Sequence, residues 1–438
     1  MMRNTIAAGL LGSIVCAAAT VSAEDMLLVE KGGNPVPIVV AEGASAATTR
    51  AARELASYIA KISGAQPDVV TGVPEPIPDR AIWIGVQPKL TEIFPDVDFA
   101  FAKPEEILIV CDGRNVAIAG RDRMVNDAQI EFGTANAVYT FIQDVLGVRW
   151  LWPGPLGEDV PTHETISLAP FTHRFAPMFL SRVVFTAAQR WGNAAEWTRL
   201  QRLALDSRRG PTGSHAYTDW WQRFAKTHPE YFALQPDGTR SGWPSPGGAK
   251  LCVSNPDVWK QWLADAEGRL QADPSVNYLI ASPNDGHSSG ICICEKCRAW
   301  DRQDGSAWPF SWQGTSQEYV ALTDRYVTFW NHLAEILRER FPDRDDLFVR
   351  TNAYGPTTPA PLGEGLAENT VLGFVGLFPT CSDASREEQK KAWQAWAEKA
   401  PNMLYRPNLW YFGGGVWGLP EVPLTRTMED FRFLAENS

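Results

Sequence analysis

From about residue 179 to its end the sequence repeats one pattern: a short apolar stretch, a turn, then a stretch of helical spacing. That alternation narrows the fold more than any other feature. Strands are expected at 179–185, ending near 213–216, and at 250–253, 277–281, 347–351, 371–375 and 403–410. Helices are expected at 194–205, from Asp219, and at 257–271, 317–340, 387–399 and 426–435. Repeated β–α units of this length lay strands in parallel with helices outside them, as in a (β/α)8 barrel of the TIM type. The pattern yields about seven strands before the chain stops. An open barrel exposes a strand edge, which is costly, so the expectation is a truncated barrel lacking its last strand.

Residues 27–170 read differently. Val36 to Val40 forms a strand, and Ala52, Leu55, Ile59 and Ile62 recur at helical spacing before Gly64 stops the helix. Residues 81–85 and 107–110 are short apolar strands, and the Asp112-Gly-Arg-Asn115 turn makes a hairpin of 107–111 and 116–119. Thr134 is expected to cap a helix presenting Ala137, Val138, Phe141, Ile142 and Val145, ended by Gly147. Residues 148–151 form a last strand, and 161–177 a linker. The fold class is therefore α/β: a small α/β domain over 24–170, then a barrel of catalytic type over 175–438.

The first 23 residues are a basic start, an apolar run over 6–19, and Val21-Ser-Ala23. They read as a cleaved secretory signal peptide. The run is too short for a good membrane span, and no later run approaches 18 apolar residues. The expected protein is soluble, secreted or periplasmic, with no membrane insertion after cleavage. Its net charge of −11, with no Lys/Arg-rich run, argues against nucleic acid as a partner. Eighteen tryptophans are many. An indole face suits the C–H faces of sugars, although most of these rings are expected to fill core.

The richest stretch is 275–297. An apolar strand, Tyr278 to Ala281, stops at Ser282-Pro-Asn-Asp-Gly286, which is turn chemistry. Asp285 thus lies just past the carboxyl end of a strand, where parallel α/β folds place their chemistry. Other polar groups follow other strands: Arg182, His215, Asn352 and Tyr354, Asp383, and Asn408, Trp410 and Tyr411. Convergence of such groups at one barrel mouth is how this fold makes an active site. Glycoside hydrolysis needs an acid and a second group. Asp285 suits the acid, with a pKa raised by burial under aromatics. Asp383, the missing strand, or a substrate acetamido group oriented by Asn284 are the candidates for the second. Arg182, His215, Asn352, Tyr354 and Trp410 are expected to bind substrate. No cofactor is needed for that chemistry. The alternative is a non-catalytic carbohydrate-binding protein on the same scaffold.

Cys292-x-Cys294-x-x-Cys297 follows seven residues after Asp285. With Cys252 it offers four thiolates for a structural zinc. Export also permits disulfides, for example from Cys252 to one of the trio, and zinc, disulfides and free thiols all stay open.

Residues 52–64, 81–85 and Gly133-Thr-Ala-Asn-Ala-Val through Trp150-Leu-Trp-Pro-Gly154 resemble the non-catalytic N-terminal domain of family 67 α-glucuronidases and family 20 β-hexosaminidases. His228-Pro-Glu-Tyr-Phe232, Asp237-Gly-Thr-Arg240, Leu251-Cys-Val-Ser-Asn-Pro256 and Ser282-Pro-Asn-Asp-Gly286 with the cysteine trio resemble the bacterial family known as domain of unknown function 4838. The two resemblances imply a carbohydrate-active pair of domains. The family 20 pattern puts an Asp-Glu pair at the fourth strand end, with the Glu as acid. Asn284-Asp285 stands there in this chain.

Overall fold

The computed structural model describes residues 25–125, 128–179, 181–182, 194–203, 215–274, 276–286, 288–376, 378–407 and 423–437. The segment expected to be the signal peptide, most of the strand at 179–185, the strand end at 213–214, and Asn408, Trp410 and Tyr411 lie outside the described residues. Two compact units divide at 205/206.

In the first unit β1 (Ile38–Val40), α1 (Ala46–Ser63), β2 (Val69–Thr71), β3 (Ile82–Ile84), β4 (Ile107–Cys111), β5 (Val116–Gly120), α2 (Gly133–Thr140) and β6 (Phe171–Phe175) follow in order. The six strands form one sheet, β6-β4-β5-β3-β1-β2. β1, β2, β3 and β5 run parallel, and β4 is antiparallel to both of its neighbours, β5 and β6. α1 starts where Ser45 accepts from the Thr48 N–H and ends at Gly64, whose φ of 80° an L-residue would resist. Its Ala51, Leu55, Ile59 and Ile62 are buried on the sheet with Ile38, Ile82, Ile109 and Ile118. Fully burying such a side chain contributes about 1.5–3 kcal/mol.

Thr134 does not cap α2. Its hydroxyl bridges back to Gly120, donating to the carbonyl at 3.1 Å and accepting from the N–H at 3.2 Å. A Cβ on Gly120 would lie 2.3 Å from the carbonyl carbon of Gly133, so strand end and helix start meet backbone to backbone. Part of the expected linker is strand, since β6 pairs with β4 over its whole length.

The second unit holds α3 (Pro256–Ala272), β7 (Tyr278–Ile280), β8 (Ala307–Trp312), β9 (Thr315–Val320), α4 (Thr323–Arg340), β10 (Phe348–Ala353), β11 (Thr370–Gly376), α5 (Asp383–Ala397), β12 (Met403–Pro407) and α6 (Leu424–Glu436). β7, β10, β11 and β12 form an all-parallel sheet in that order. Such strands are buried on both faces and read as continuous apolar runs; Val349, Leu372 and Phe374 are fully buried.

Two expectations are corrected. Residues 250–253 are not a strand, for Leu251 makes a single antiparallel bridge to Phe232. The helix expected from Gln317 starts at Thr323, because 307–320 is an antiparallel hairpin turning at Gln313 and Gly314, with φ of 44° and 84°. Trp308, Phe310 and Trp312 alternate along it with period two, the signature of a strand.

Tryptophan does fill core. Trp83, Trp220, Trp330, Trp393 and Trp396 are fully buried. The indole N–H of Trp330 donates to Ala281 O at 3.1 Å, and that of Trp396 to Thr358 O at 2.9 Å. Such partners make burial of a polar ring tolerable. Among the described residues no helix is long and apolar enough to cross a membrane.

Candidate functional site

The carboxyl ends of β7 and β10 are neighbours, because Tyr278, Leu279 and Ile280 pair in register with Phe348, Val349 and Arg350. β7 therefore hands the chain to Ser282-Pro-Asn-Asp-Gly286 beside the point where β10 delivers Asn352 and Tyr354. A narrow cleft with a free volume of about 40 Å³ lies there. It brings together four residues expected from the sequence: His215, Asn284, Asn352 and Tyr354. Lys250, Cys292, Arg325 and Tyr326 also line it.

Asn284 is 2% exposed, and both ends of its amide are engaged. Its nitrogen donates to Tyr217 O at 2.9 Å and Ala249 O at 3.1 Å, while its oxygen accepts from the Tyr217 N–H at 3.1 Å. Asn284 thus ties the turn after β7 to two loops earlier in the chain. An aspartate could not donate to those two carbonyls. Asn284→Ala is expected to destabilise the second unit by about 1–3 kcal/mol, because three buried backbone groups lose a partner. Urea unfolding followed by tryptophan fluorescence would read it, and an unchanged midpoint would contradict the tie.

Lys250 was not singled out in the sequence. Its ammonium is buried and donates to Asn284 O at 2.9 Å and Asp285 O at 2.5 Å. Burial pushes its pKa down to about 8, with the Asp285 carboxylate opposing that shift. A lone lysine between Ala249 and Leu251 in an apolar stretch is the signal that was available.

Asp285 reaches the cleft through His215. His215 Nδ1 lies 2.6 Å from the Pro283 carbonyl and Nε2 lies 3.3 Å from Asp285 Oδ2. A carbonyl only accepts, so Nδ1 carries a hydrogen. Nε2 is thereby turned toward the Asp285 carboxyl. The Asp285 side chain is 71% exposed, so the burial under aromatics expected for it is not present.

Asn352 is 8% exposed and its Oδ1 has no hydrogen-bond partner. Room for that side chain comes from Gly373 on β11, where a Cβ would lie 2.5 Å from the same oxygen. Arg182 belongs to the first unit, where its guanidinium holds Glu105 at 2.5 Å, Phe179 O at 2.7 Å and Arg202 O at 3.1 Å. Asp383 opens α5, 84% exposed and ion-paired with Arg426. Among the described residues lining the cleft, none is a carboxylate.

Behind the cleft wall the sulfurs of Cys252, Cys292, Cys294 and Cys297 all lie within 4.8 Å of one another. None of the four is in a disulfide.

A family model described as "Domain of unknown function (DUF4838)" matches residues 152–414. No curated protein matches the sequence. Among solved structures, the chain is similar to a Streptomyces plicatus N-acetyl-beta-hexosaminidase in complex with Thio-NAglucal, at 14% identity and a TM-score of 0.37, over 86% of this chain and 72% of that one. It is also similar to a Flavobacterium johnsoniae chitobiase, at 9% identity and a TM-score of 0.43, over 89% of this chain and 57% of that one. Likenesses of this size leave fold and chemistry to be read from the chain's own residues.

Proposed function

The chain belongs to the family described as a domain of unknown function (DUF4838), and we propose that it is an exported glycoside hydrolase acting on a polysaccharide or its oligosaccharides. The observation that carries this reading is the pair that His215 makes with Asp285, which follows β7, at a cleft into which the adjacent parallel strand β10 also delivers Asn352 and Tyr354. In the proposed mechanism a sugar lies in the cleft with its glycosidic oxygen against Asp285. A proton on the Asp285 carboxyl moves to that oxygen as the C–O bond breaks. His215 holds the carboxyl in place and is itself held by Pro283 O. The unpartnered Asn352 Oδ1 accepts from a sugar hydroxyl, and Tyr354 offers its ring to a sugar face. Lys250 and Asn284 position the acid through the backbone without touching substrate. The parallel sheet with α4 and α5 between its strands is proposed to be part of a (β/α)8 barrel. The second reaction group is either the substrate's own acetamido group or a residue outside those described.

One observation favours a second reading. With no carboxylate among the described residues lining the cleft, the scaffold also suits a carbohydrate-binding protein without turnover. Incubating the full chain with a panel of defined glycans, and following both binding and reducing-end release, separates the two. Release from at least one glycan is expected; binding without release from any would overturn the enzyme reading.

A further inference from the structure

We propose that Cys252, Cys292, Cys294 and Cys297 hold a zinc ion whose role is to fix the wall of the cleft. The argument is geometric and independent of what the cleft acts on. A tetrahedral tetrathiolate site with Zn–S of about 2.3 Å places its sulfurs roughly 3.8 Å apart. Cys252 Sγ lies 3.6 Å from Cys294 Sγ and 3.9 Å from Cys297 Sγ, and all four sulfurs fall within 4.8 Å of one another. A disulfide would bring one pair to about 2.05 Å and push the others away. Three of the four side chains are buried, and Cys294 is half-buried.

The surroundings suit a site of net charge −2, the sum of four thiolates and one Zn²⁺. Backbone N–H groups donate to two of the sulfurs, Leu234 to Cys292 at 3.3 Å and Cys297 to Cys294 at 3.4 Å. Ser254 Oγ lies 3.1 Å from Cys297 Sγ, and the Arg240 guanidinium stands close enough to Cys252 to act on it electrostatically. Arg325 donates to the Cys292 carbonyl at 2.9 Å. Donors of this kind orient thiolates and offset their charge in known metal sites. Binding would release the four thiol protons as the ion takes their place.

The ion's position gives it a purpose. Cys292 lines the cleft, and six residues separate it from Asp285. Cys252 comes from the loop that begins with Lys250, the anchor of that same turn. A metal joining these segments would fasten the acid-bearing loop at its far end, as Lys250 and Asn284 fasten its near end.

The test uses the full chain purified without chelator. Elemental analysis is expected to find one zinc per chain. Titration with a mercurial in the presence of a chromogenic zinc indicator should release that zinc as four thiols react. Cobalt exchanged into the site should show the intense visible band of a tetrahedral all-thiolate ion. Cys294→Ser, at the half-exposed corner, should bring zinc content well below one while Cys294→His retains it. If Cys294→Ser fails to fold, the wild-type metal, thiol and cobalt readings decide alone. No bound metal with four thiols missing would mean two disulfides and would overturn the site. Four free thiols without metal would overturn it equally, and one iron in place of zinc would overturn the identity of the ion.

Discussion

Asp285→Asn is expected to lower turnover by ~10²–10⁴-fold, the range that a positioned proton donor contributes, and to leave saccharide binding nearly unchanged. The amide keeps the shape of the carboxyl but cannot donate a proton as the proposed acid must. The fold should tolerate the change. Lys250 grips the backbone carbonyls of residues 284 and 285, not the carboxyl, and Asn284 ties down the turn through its own amide. Gly286, at a φ of 75°, keeps the turn's exit. The side chain itself is 71% exposed, so little packing is at stake. Initial rates on a hydrolysed glycan, measured beside the binding isotherm for the same glycan, would check both halves. Equal turnover by the two proteins would remove Asp285 as the acid.

Asp301→Asn is expected to cost about 3–5 kcal/mol of stability, the usual consequence of stripping one partner from a buried ion pair. Arg325 and Asp301 have side chains 2% and 0% exposed, joined by Nε to Oδ1 at 2.7 Å and Nη2 to Oδ2 at 2.5 Å. Tyr319 adds a hydroxyl donor to Oδ2 at 2.8 Å. Neutralising the carboxylate leaves a guanidinium in the interior without its counter-charge, and desolvation then acts unopposed. Denaturant unfolding should show a lower midpoint with the slope retained. Because Arg325 also donates to Cys292 O and lines the cleft, glycan affinity should fall in the same variant. A midpoint equal to that of the unaltered protein would show that the pair contributes nothing.

The sequence made the parallel strands of the second unit legible because each is an apolar run closed by turn residues, and period and punctuation agree. It made Asn284, Asn352 and Tyr354 legible as neighbours because strand ends in a parallel sheet share one edge. It did not reveal what each group does there. Asn284 looked like a residue facing substrate, yet its amide satisfies backbone groups 35 and 67 residues away in sequence. Nothing local encodes such a partner. Lys250 and Arg325 stayed invisible for the same reason, since a charge in an apolar stretch or on a long helix shows its purpose only once the chain is folded. The hairpin at 307–320 was hidden otherwise. Tyr319 and Val320 continue the apolar spacing of α4, and the helical period absorbed them although Gly314 and the alternating aromatics marked a turn and a strand. Arg182 read as a strand-end residue; its three contacts within the first unit are those of a structural arginine.

The anchoring of the turn after β7 bears on any attempt to transplant this chemistry. Residues 282–286 grafted onto another scaffold would carry the carboxylate without its posture. The hydrogen bonds that shape the turn come from Tyr217 and Lys250, and they reach Ala249 as well. The portable module is therefore discontinuous, three short segments that travel together or lose their meaning. Recombination that cuts between residues 217 and 284 would be expected to yield chimaeras that fold around a misdirected Asp285 carboxylate.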